Sequence, residues 1–224
     1  MSRRLAVALL LAVAAVGLCV FVAYLVVLGA NPGPTALDNQ VFDLAQDVRT
    51  GGGIDVAKVV TALGGTPVVL GVTAIAVFLL AMRKRPVELA VLIGGTLLIF
   101  AVVQITKGAV GRARPPHPLA GAAGAAYPSG HAAHATAYVA LGVMAARVLA
   151  GAVSRAALVI VGLLLAAAVG ASRVFLQVHW ASDVWGGWGV GAAIFGLLGA
   201  IGVVVGSFRN NEPSQSAPGP ARSA

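Results

Sequence analysis

The chain has 224 residues, of which 59% are hydrophobic and only 10% are charged, and its formal net charge is +8. Because soluble domains carry about a quarter charged residues, this composition excludes a soluble globular protein and predicts an integral membrane protein. The basic charge does not predict nucleic-acid binding, since the cations are scattered between apolar runs and do not line one polar face.

The first predicted element is an apolar helix over residues 5–28, which follows Arg3 and Arg4. This run is long enough to span a bilayer, which takes about 20 apolar residues. The alternative is a cleaved signal peptide, but its apolar region would be shorter, about 7–15 residues, so we favour a retained anchor. Cys19, the one cysteine of the chain, lies within this run, which excludes an intrachain disulfide and a cysteine-based metal site.

Residues 35–65 are the most polar part of the body of the chain. Apolar residues such as Leu37, Val41 and Leu44 recur there at helical spacing, which predicts an amphipathic helix that lies at the surface of the membrane. A second, shorter amphipathic piece follows the glycines at 51–53, and we expect it to pack against the bundle. The acidic side chains of this outer segment are Asp38, Asp43, Asp47 and Asp55.

Five further apolar runs are expected to cross the membrane, and a tail rich in Pro, Ser, Gly and Ala over residues 209–224 is expected to be disordered. We therefore predict an all-α fold: a six-transmembrane helix bundle that forms a single domain over residues 1–208. The five later spans are predicted at 66–82, 87–105, 129–146, 156–171 and 184–208.

Six spans place both termini on one side of the membrane, and loops rich in Lys and Arg stay in the cytoplasm. The predicted connections on the side of the termini carry most of the cations, so both termini are expected to be cytoplasmic. These cations are Arg3, Arg4, Arg83, Lys84, Arg85, Arg147, Arg155 and Arg209. The unusual polar stretches then face outward.

Three of these outward stretches contain residues suited to binding phosphate. Lys107, Arg114 and Arg173 supply three cations, and arginine forks hydrogen-bond phosphate oxygens in pairs. Ser129 and Gly130 lie at the predicted start of a helix, where free backbone N–H groups favour an anion. Together these residues predict a pocket for a phosphoryl group and its charged transition state.

His131 and His179 add two imidazoles to this set, one to attack phosphorus and one to protonate the leaving oxygen. Asp183 lies four residues after His179, so on a helix the two side chains share a face. A carboxylate beside one ring nitrogen sets the tautomer and leaves the other nitrogen free to react. The alternative interpretation of this stretch by itself is a capped helix end with a satisfied histidine.

The three stretches resemble the signature of the type 2 phosphatidic acid phosphatase (PAP2) superfamily, the membrane relatives of vanadium haloperoxidases. That signature reads Lys-x6-Arg-Pro, Pro-Ser-Gly-His and Ser-Arg-x5-His-x3-Asp, and every specified position is filled between Lys107 and Asp183. The resemblance covers most of residues 60–206. It implies that the three cations, Ser129 and Gly130 hold phosphate. It further implies that His131 is the general acid and that His179 is the nucleophile of a phosphohistidine intermediate, oriented by Asp183.

Other polar residues fit catalysis less well. His131 and His134 have the spacing of a metal pair, but the sequence offers no third or fourth ligand. The outer acidic residues are spread along one segment, whereas a two-metal hydrolase needs clustered carboxylates. We therefore expect neither a metal nor another cofactor. Arg112 and His117 lie in the loop before the second stretch and are interpreted as residues at the rim of the site.

The function predicted from these observations is a lipid phosphatase acting on a phosphomonoester or diphosphate lipid at the outer leaflet. The candidate substrates are undecaprenyl diphosphate, phosphatidic acid and phosphatidylglycerol phosphate, with a diphosphate carrier lipid slightly favoured. Partners are limited to the lipid substrate and the bilayer, and the oligomeric state is left open. The alternatives are an anion or lipid transporter, a haloperoxidase, and a non-catalytic phosphate-binding protein, but transporters bind their substrates near the membrane midplane.

Overall fold

The structure is a computed structural model that describes residues 2–148 and 152–210. These ranges contain helices and connecting loops and no strand, which confirms the all-α prediction. The helices are α1 (Arg3–Ala30), α2 (Ala36–Asp47), α3 (Gly51–Ala62), α4 (Thr66–Met82), α5 (Pro86–Val110), α6 (Gly130–Val148), α7 (Ala152–Phe175) and α8 (Ala181–Asn210). Because α8 continues to Asn210, it extends just past the predicted start of the tail, and residues 211–224 of that tail lie outside the described residues.

Four of the described helices, α1, α5, α7 and α8, are long and apolar enough to cross a membrane. The pair α3 and α4 would make a fifth span if the two were taken together, with a bend of 43° between them. The predicted runs at 66–82 and 129–146 lie on α4 and α6, but neither helix by itself is long and apolar enough to count as a span. A multi-pass membrane protein is therefore supported, and the count of six spans stays a prediction.

Helix α8 packs against α1, α5 and α6, so it forms the centre of the bundle. Small residues make this close packing possible. A Cβ atom added to Gly17 of α1 would stand 2.7 Å from the carbonyl oxygen of Gly189 in α8, so the two backbones touch directly. Large apolar side chains on the outside of the bundle stay exposed, as expected of lipid-facing helices; Val16 and Val26 of α1 are both 65% exposed.

The outer segment folds as α2 and α3. An acidic side chain of this segment is buried and some of its apolar side chains are exposed, which is the reverse of the usual arrangement in a soluble protein. Thr35 caps α2 in a capping box with Asp38, whose carboxylate in turn accepts a hydrogen bond from the Thr35 amide. Asp38 is buried against the bundle, whereas Leu44 and Val48 are about 60% and 59% exposed. Exposed apolar side chains at this end of the bundle suit contact with the membrane surface.

Candidate functional site

The three polar stretches meet at one end of the bundle, where α5 and α7 end and α6 and α8 begin. Backbone hydrogen bonds join the stretches: the amide of Ser129 donates to the carbonyl of Asp183 at 2.9 Å, and that of Ala126 donates to Arg112 at 2.8 Å. Gly111 ends α5 with a φ of 62°, a left-handed conformation that favours glycine. This turn directs the chain from Lys107 into the loop that carries Arg112 and Arg114.

His179 lies in the short connection between α7 and α8. The amides of Val178 and His179 both donate to the carbonyl of Arg173, at 3.1 and 3.3 Å, which folds the connection back onto the end of α7. The ring nitrogen Nδ1 lies 3.4 Å from Oδ2 of Asp183, and that same oxygen accepts a hydrogen bond of 2.8 Å from the Trp180 amide. Asp183 is fully buried in the first turn of α8.

The other ring nitrogen of His179, Nε2, points toward the cations. It lies 3.1 Å from Nη1 of Arg114. Burial lowers the pKa of His179 to about 4, although Asp183 opposes this shift, so the ring is neutral at neutral pH. A neutral ring that donates a hydrogen bond through its Nδ1–H to a carboxylate keeps a lone pair on Nε2, which is the electronic state of a nucleophile.

The three cations predicted to hold phosphate interact electrostatically with one another, and each is anchored differently. Nη1 of Arg114 also donates to the carbonyl of Val178 at 2.5 Å, and Lys107 donates through Nζ to the carbonyl of Ala125. Burial lowers the pKa of Arg114 below its ordinary value, but the guanidinium stays charged.

Arg173 is 3% exposed and donates from Nη1 to the hydroxyl of Thr61 in α3 at 2.8 Å. Within the described residues, its buried Nε has no hydrogen-bond partner. A buried guanidinium with an unused donor is suited to an incoming anion.

The start of α6 carries the second stretch. The Ser129 hydroxyl accepts a hydrogen bond of 3.4 Å from the amide of Ala132, so its side chain also caps the helix. His131 is half-buried and interacts electrostatically with Arg173, His179 and Arg114, which places the second imidazole in the same cluster. Every residue predicted for the site is therefore brought to one end of the bundle.

The bend between α3 and α4 lies beside His131. A Cβ atom added to Gly65 would stand 3.8 Å from Nε2 of His131, and one added to Gly64 would stand 2.3 Å from a methyl carbon of Val169. The two glycines let the chain turn close to the ring without filling the space next to it. The sequence pattern by itself does not connect this bend with the site.

The prediction for Arg112 is wrong. This residue does not lie at the rim: it is 1% exposed and lies beneath the site. Its Nη1 contacts Oδ1 of Asp183 at 2.5 Å, and its Nη2 contacts Oδ2 of Asp38 at 2.7 Å. Nε and Nη2 also donate to the carbonyls of Pro32 and Gly33, both at 3.1 Å, and Nη1 donates to the Ser182 hydroxyl at 2.7 Å. Two buried carboxylates provide the physical reason for its position, since a buried guanidinium needs such partners.

Asp38 is the second residue that sequence analysis missed. It accepts hydrogen bonds of 2.8 Å from both the amide and the hydroxyl of Ser182. Burial opposes ionisation of this carboxyl, but the amides of Ser182 and Thr35 and the Arg112 guanidinium together hold its pKa below the ordinary value. The Thr35-x-x-Asp38 capping box was visible in the sequence, but a capping box does not show that the carboxylate is buried.

Of the remaining histidines, His134 interacts electrostatically with His131 and Lys107 but makes its ring contact elsewhere. His134 is buried and its ring stacks on Phe100 with the centroids 4.1 Å apart, and His117 is exposed. In the part of the chain that the structure describes, no three His, Cys, Asp or Glu side chains form a group that could hold a metal ion.

The family of this chain is identified by its similarity to known proteins. A family model described as the PAP2 superfamily matches residues 88–202, just over half of the chain. No curated protein sequence matches the chain.

Two solved structures share the fold. The first transmembrane PAP2 type phosphatidylglycerolphosphate phosphatase from Bacillus subtilis is similar with a TM-score of 0.70 and 22% identity, over 89% of this chain and 98% of that chain. LpxE from Aquifex aeolicus is similar with a TM-score of 0.57 and 24% identity, over 76% of this chain and 96% of that chain. The matched range contains every position of the three-part signature, and the chain belongs to the PAP2 superfamily.

Proposed function

We propose that this protein is a membrane phosphatase that removes a phosphoryl group from a lipid phosphate through a phosphohistidine on His179. The observation that carries the proposal is the state of the His179 ring. Its Nδ1 faces Asp183 at 3.4 Å, and its Nε2 faces the Arg114 guanidinium at 3.1 Å. A neutral nucleophile whose free nitrogen points into a cluster of cations suits attack on an anionic phosphoryl group.

In the proposed reaction, Lys107, Arg114 and Arg173 bind the phosphate oxygens, with help from Ser129 and the Gly130 amide. Arg114 then transfers its hydrogen bond from His179 to the substrate. Nε2 of His179 forms a bond to phosphorus while the bond to the leaving oxygen breaks, and His131 gives that oxygen a proton. Water next attacks the phosphohistidine and gives a proton to His131, which releases phosphate and restores both rings.

A lipid substrate is supported by the surroundings of the site. The site lies at one end of a bundle of apolar helices, and at that end Leu44 of α2 and Val48, which follows α2, are exposed. A lipid can therefore keep its tail in the bilayer while its headgroup enters the cation cluster. The Bacillus subtilis neighbour acts on phosphatidylglycerolphosphate according to its description, which is one member of this substrate class.

We further propose six spans, with α4 and α6 as the two additional ones, cytoplasmic termini and an extracytoplasmic site. The cations that do not belong to the site support this orientation, because a group of them lies at the opposite end of the bundle. A cavity of about 660 Å³ at that end is lined by Arg3, Lys84, Arg85 and Arg147. Basic residues at a helix end mark the cytoplasmic side.

The proposal is tested by phosphate release from purified protein in detergent, using phosphatidic acid, phosphatidylglycerol phosphate and undecaprenyl diphosphate. We expect release from at least one lipid, and a phosphohistidine trapped by rapid quench. His179→Ala should abolish both signals, whereas the matched control His117→Ala changes an exposed histidine and should behave like the wild type. Phosphate release by His179→Ala at the wild-type rate would rule out the mechanism.

A further inference from the structure

The outer helix α2 reaches the catalytic groups through one side chain. Asp38 is 1% exposed, and its two carboxylate oxygens are both occupied. Oδ1 accepts from the Ser182 amide at 2.8 Å, and Oδ2 contacts Nη2 of Arg112 at 2.7 Å. The other acids of α2, Asp43 and Asp47, are exposed. An acidic side chain is rarely buried without a partner, so this contact, and not the solvent, explains the inward orientation of Asp38.

Arg112 joins this carboxylate to Asp183. Its Nη1 lies 2.5 Å from Oδ1 of Asp183 and also donates to the Ser182 hydroxyl at 2.7 Å. One guanidinium thus serves two buried carboxylates, and the group of three ionised side chains keeps one net negative charge. That charge lies next to His179, whose ring becomes positive as its bond to phosphorus forms.

The two carboxylate oxygens of Asp183 have different partners. Oδ1 is held by Arg112, while Oδ2 faces Nδ1 of His179 at 3.4 Å and accepts from the Trp180 amide at 2.8 Å. Partners on both oxygens prevent the carboxylate from rotating away from the ring. If Arg112 had Asp183 as its only counter-ion, its charge would largely cancel the support that Asp183 gives to a positive imidazole. Because Asp38 is a second counter-ion of Arg112, it neutralises part of the guanidinium charge that would otherwise act on Asp183.

We propose that Asp38 and Arg112 are positioning residues for the nucleophile: Asp38, on α2, shares the Arg112 guanidinium with Asp183, and thereby both orients Asp183 and preserves its negative charge toward His179. This inference rests on the proposed function of His179. It makes α2 a part of the catalytic apparatus in addition to a surface element, and it assigns a function to two residues outside the three-part signature.

The test is a double-mutant cycle. Asp38→Asn keeps the shape and acceptor oxygen of the side chain but removes its charge. We expect phosphohistidine formation to slow by about 10- to 100-fold with little change in KM, because Asp38 acts on the nucleophile and not on bound phosphate. In an Asp183→Asn background, the same change should cost less than about twofold, since the carboxylate through which it acts is gone. Asp43→Asn, an exposed acid on the same helix, is the matched control.

The outcomes separate this inference from the proposed function. Equal losses from Asp38→Asn in both backgrounds, or a loss confined to KM, would overturn the positioning role. Ser182→Ala, which removes one donor to Asp38, provides a milder variant if Asp38→Asn lowers the yield of folded protein, and a several-fold loss is expected.

Nitrogen NMR of histidine-labelled protein supplies a readout that does not need turnover, with the His179 signals assigned through His179→Ala. Asp38→Asn should shift the His179 ring nitrogens, and Asp43→Asn should leave them unchanged. Unchanged His179 signals in Asp38→Asn would overturn the inference even if no lipid proved to be a substrate.

Discussion

Replacing Arg112 with methionine tests whether the buried charge network supports the fold. Methionine keeps much of the side-chain volume but leaves Asp38 and Asp183 without the guanidinium that both contact, and both carboxylates are 0% exposed. Breaking a buried ion pair by removing one partner costs about 3–5 kcal/mol, whereas a substitution at an exposed rim position costs about 0.5 kcal/mol or less. The expected decrease in the free energy of unfolding is therefore several times larger for a buried Arg112 than for a residue at an exposed rim.

The assay is thermal unfolding in detergent, followed by tryptophan fluorescence. For a chain of about this size, 1 kcal/mol corresponds to a shift in Tm of about 2–4 °C, so Arg112→Met should unfold roughly 6–20 °C below the wild type. Arg83→Met, a change at an exposed arginine, should shift Tm by no more than about 2 °C.

Two further measurements make the reasoning specific to charge. Adding Asp38→Asn to Arg112→Met removes one of the two unpaired carboxylates and should recover part of the loss. Lowering the pH should also reduce the difference in Tm between Arg112→Met and the wild type. In the wild type the pKa of Asp38 is lowered, so its stabilising contribution is present above the unfolded pKa and is lost as the pH falls through the folded pKa. An Arg112→Met protein that unfolds within about 1 °C of the wild type at neutral pH would refute the argument.

Three other predictions concern catalysis. Asp183→Asn should slow phosphohistidine formation less than His179→Ala, which should cost several orders of magnitude while the protein still folds, as unfolding curves would show. Because burial lowers the pKa of His179 to about 4, protonation of this ring should reduce phosphohistidine formation only near and below pH 4, and an acid limb that begins near pH 6.5 would contradict this. On the alkaline side the rate should fall as His131, the proposed general acid, loses its proton. Activity should survive excess EDTA and be inhibited by vanadate, whereas loss in EDTA with recovery in magnesium would contradict the metal-free assignment.

Much of the arrangement of the candidate site could be predicted because its determinants are local. The interval between His179 and Asp183 spans about one helical turn, and the positions of Lys107, Ser129 and Arg173 at helix ends follow from where the apolar runs stop. Alternation of apolar runs and polar stretches then brings those ends to one side of the bundle. The all-α fold and four of the expected spans could likewise be predicted from hydropathy, because the apolar character of a segment does not depend on how the helices pack.

Burial of Arg112 and Asp38 was decided by tertiary structure alone. The two partners of Arg112 lie 71 and 74 residues away in the chain, and nothing in the residues beside Arg112 distinguishes a guanidinium that turns inward from one that faces solvent. The same limit applies to α2, whose acids and apolar residues alternate with helical period whichever face is buried. Composition and local spacing therefore determined that this is a helical membrane protein with the three-part signature of the PAP2 superfamily. Only the packing of α2 against α8 decided that a distant carboxylate shares the guanidinium of Arg112, because a charge enters the interior only where the fold supplies its counter-charge.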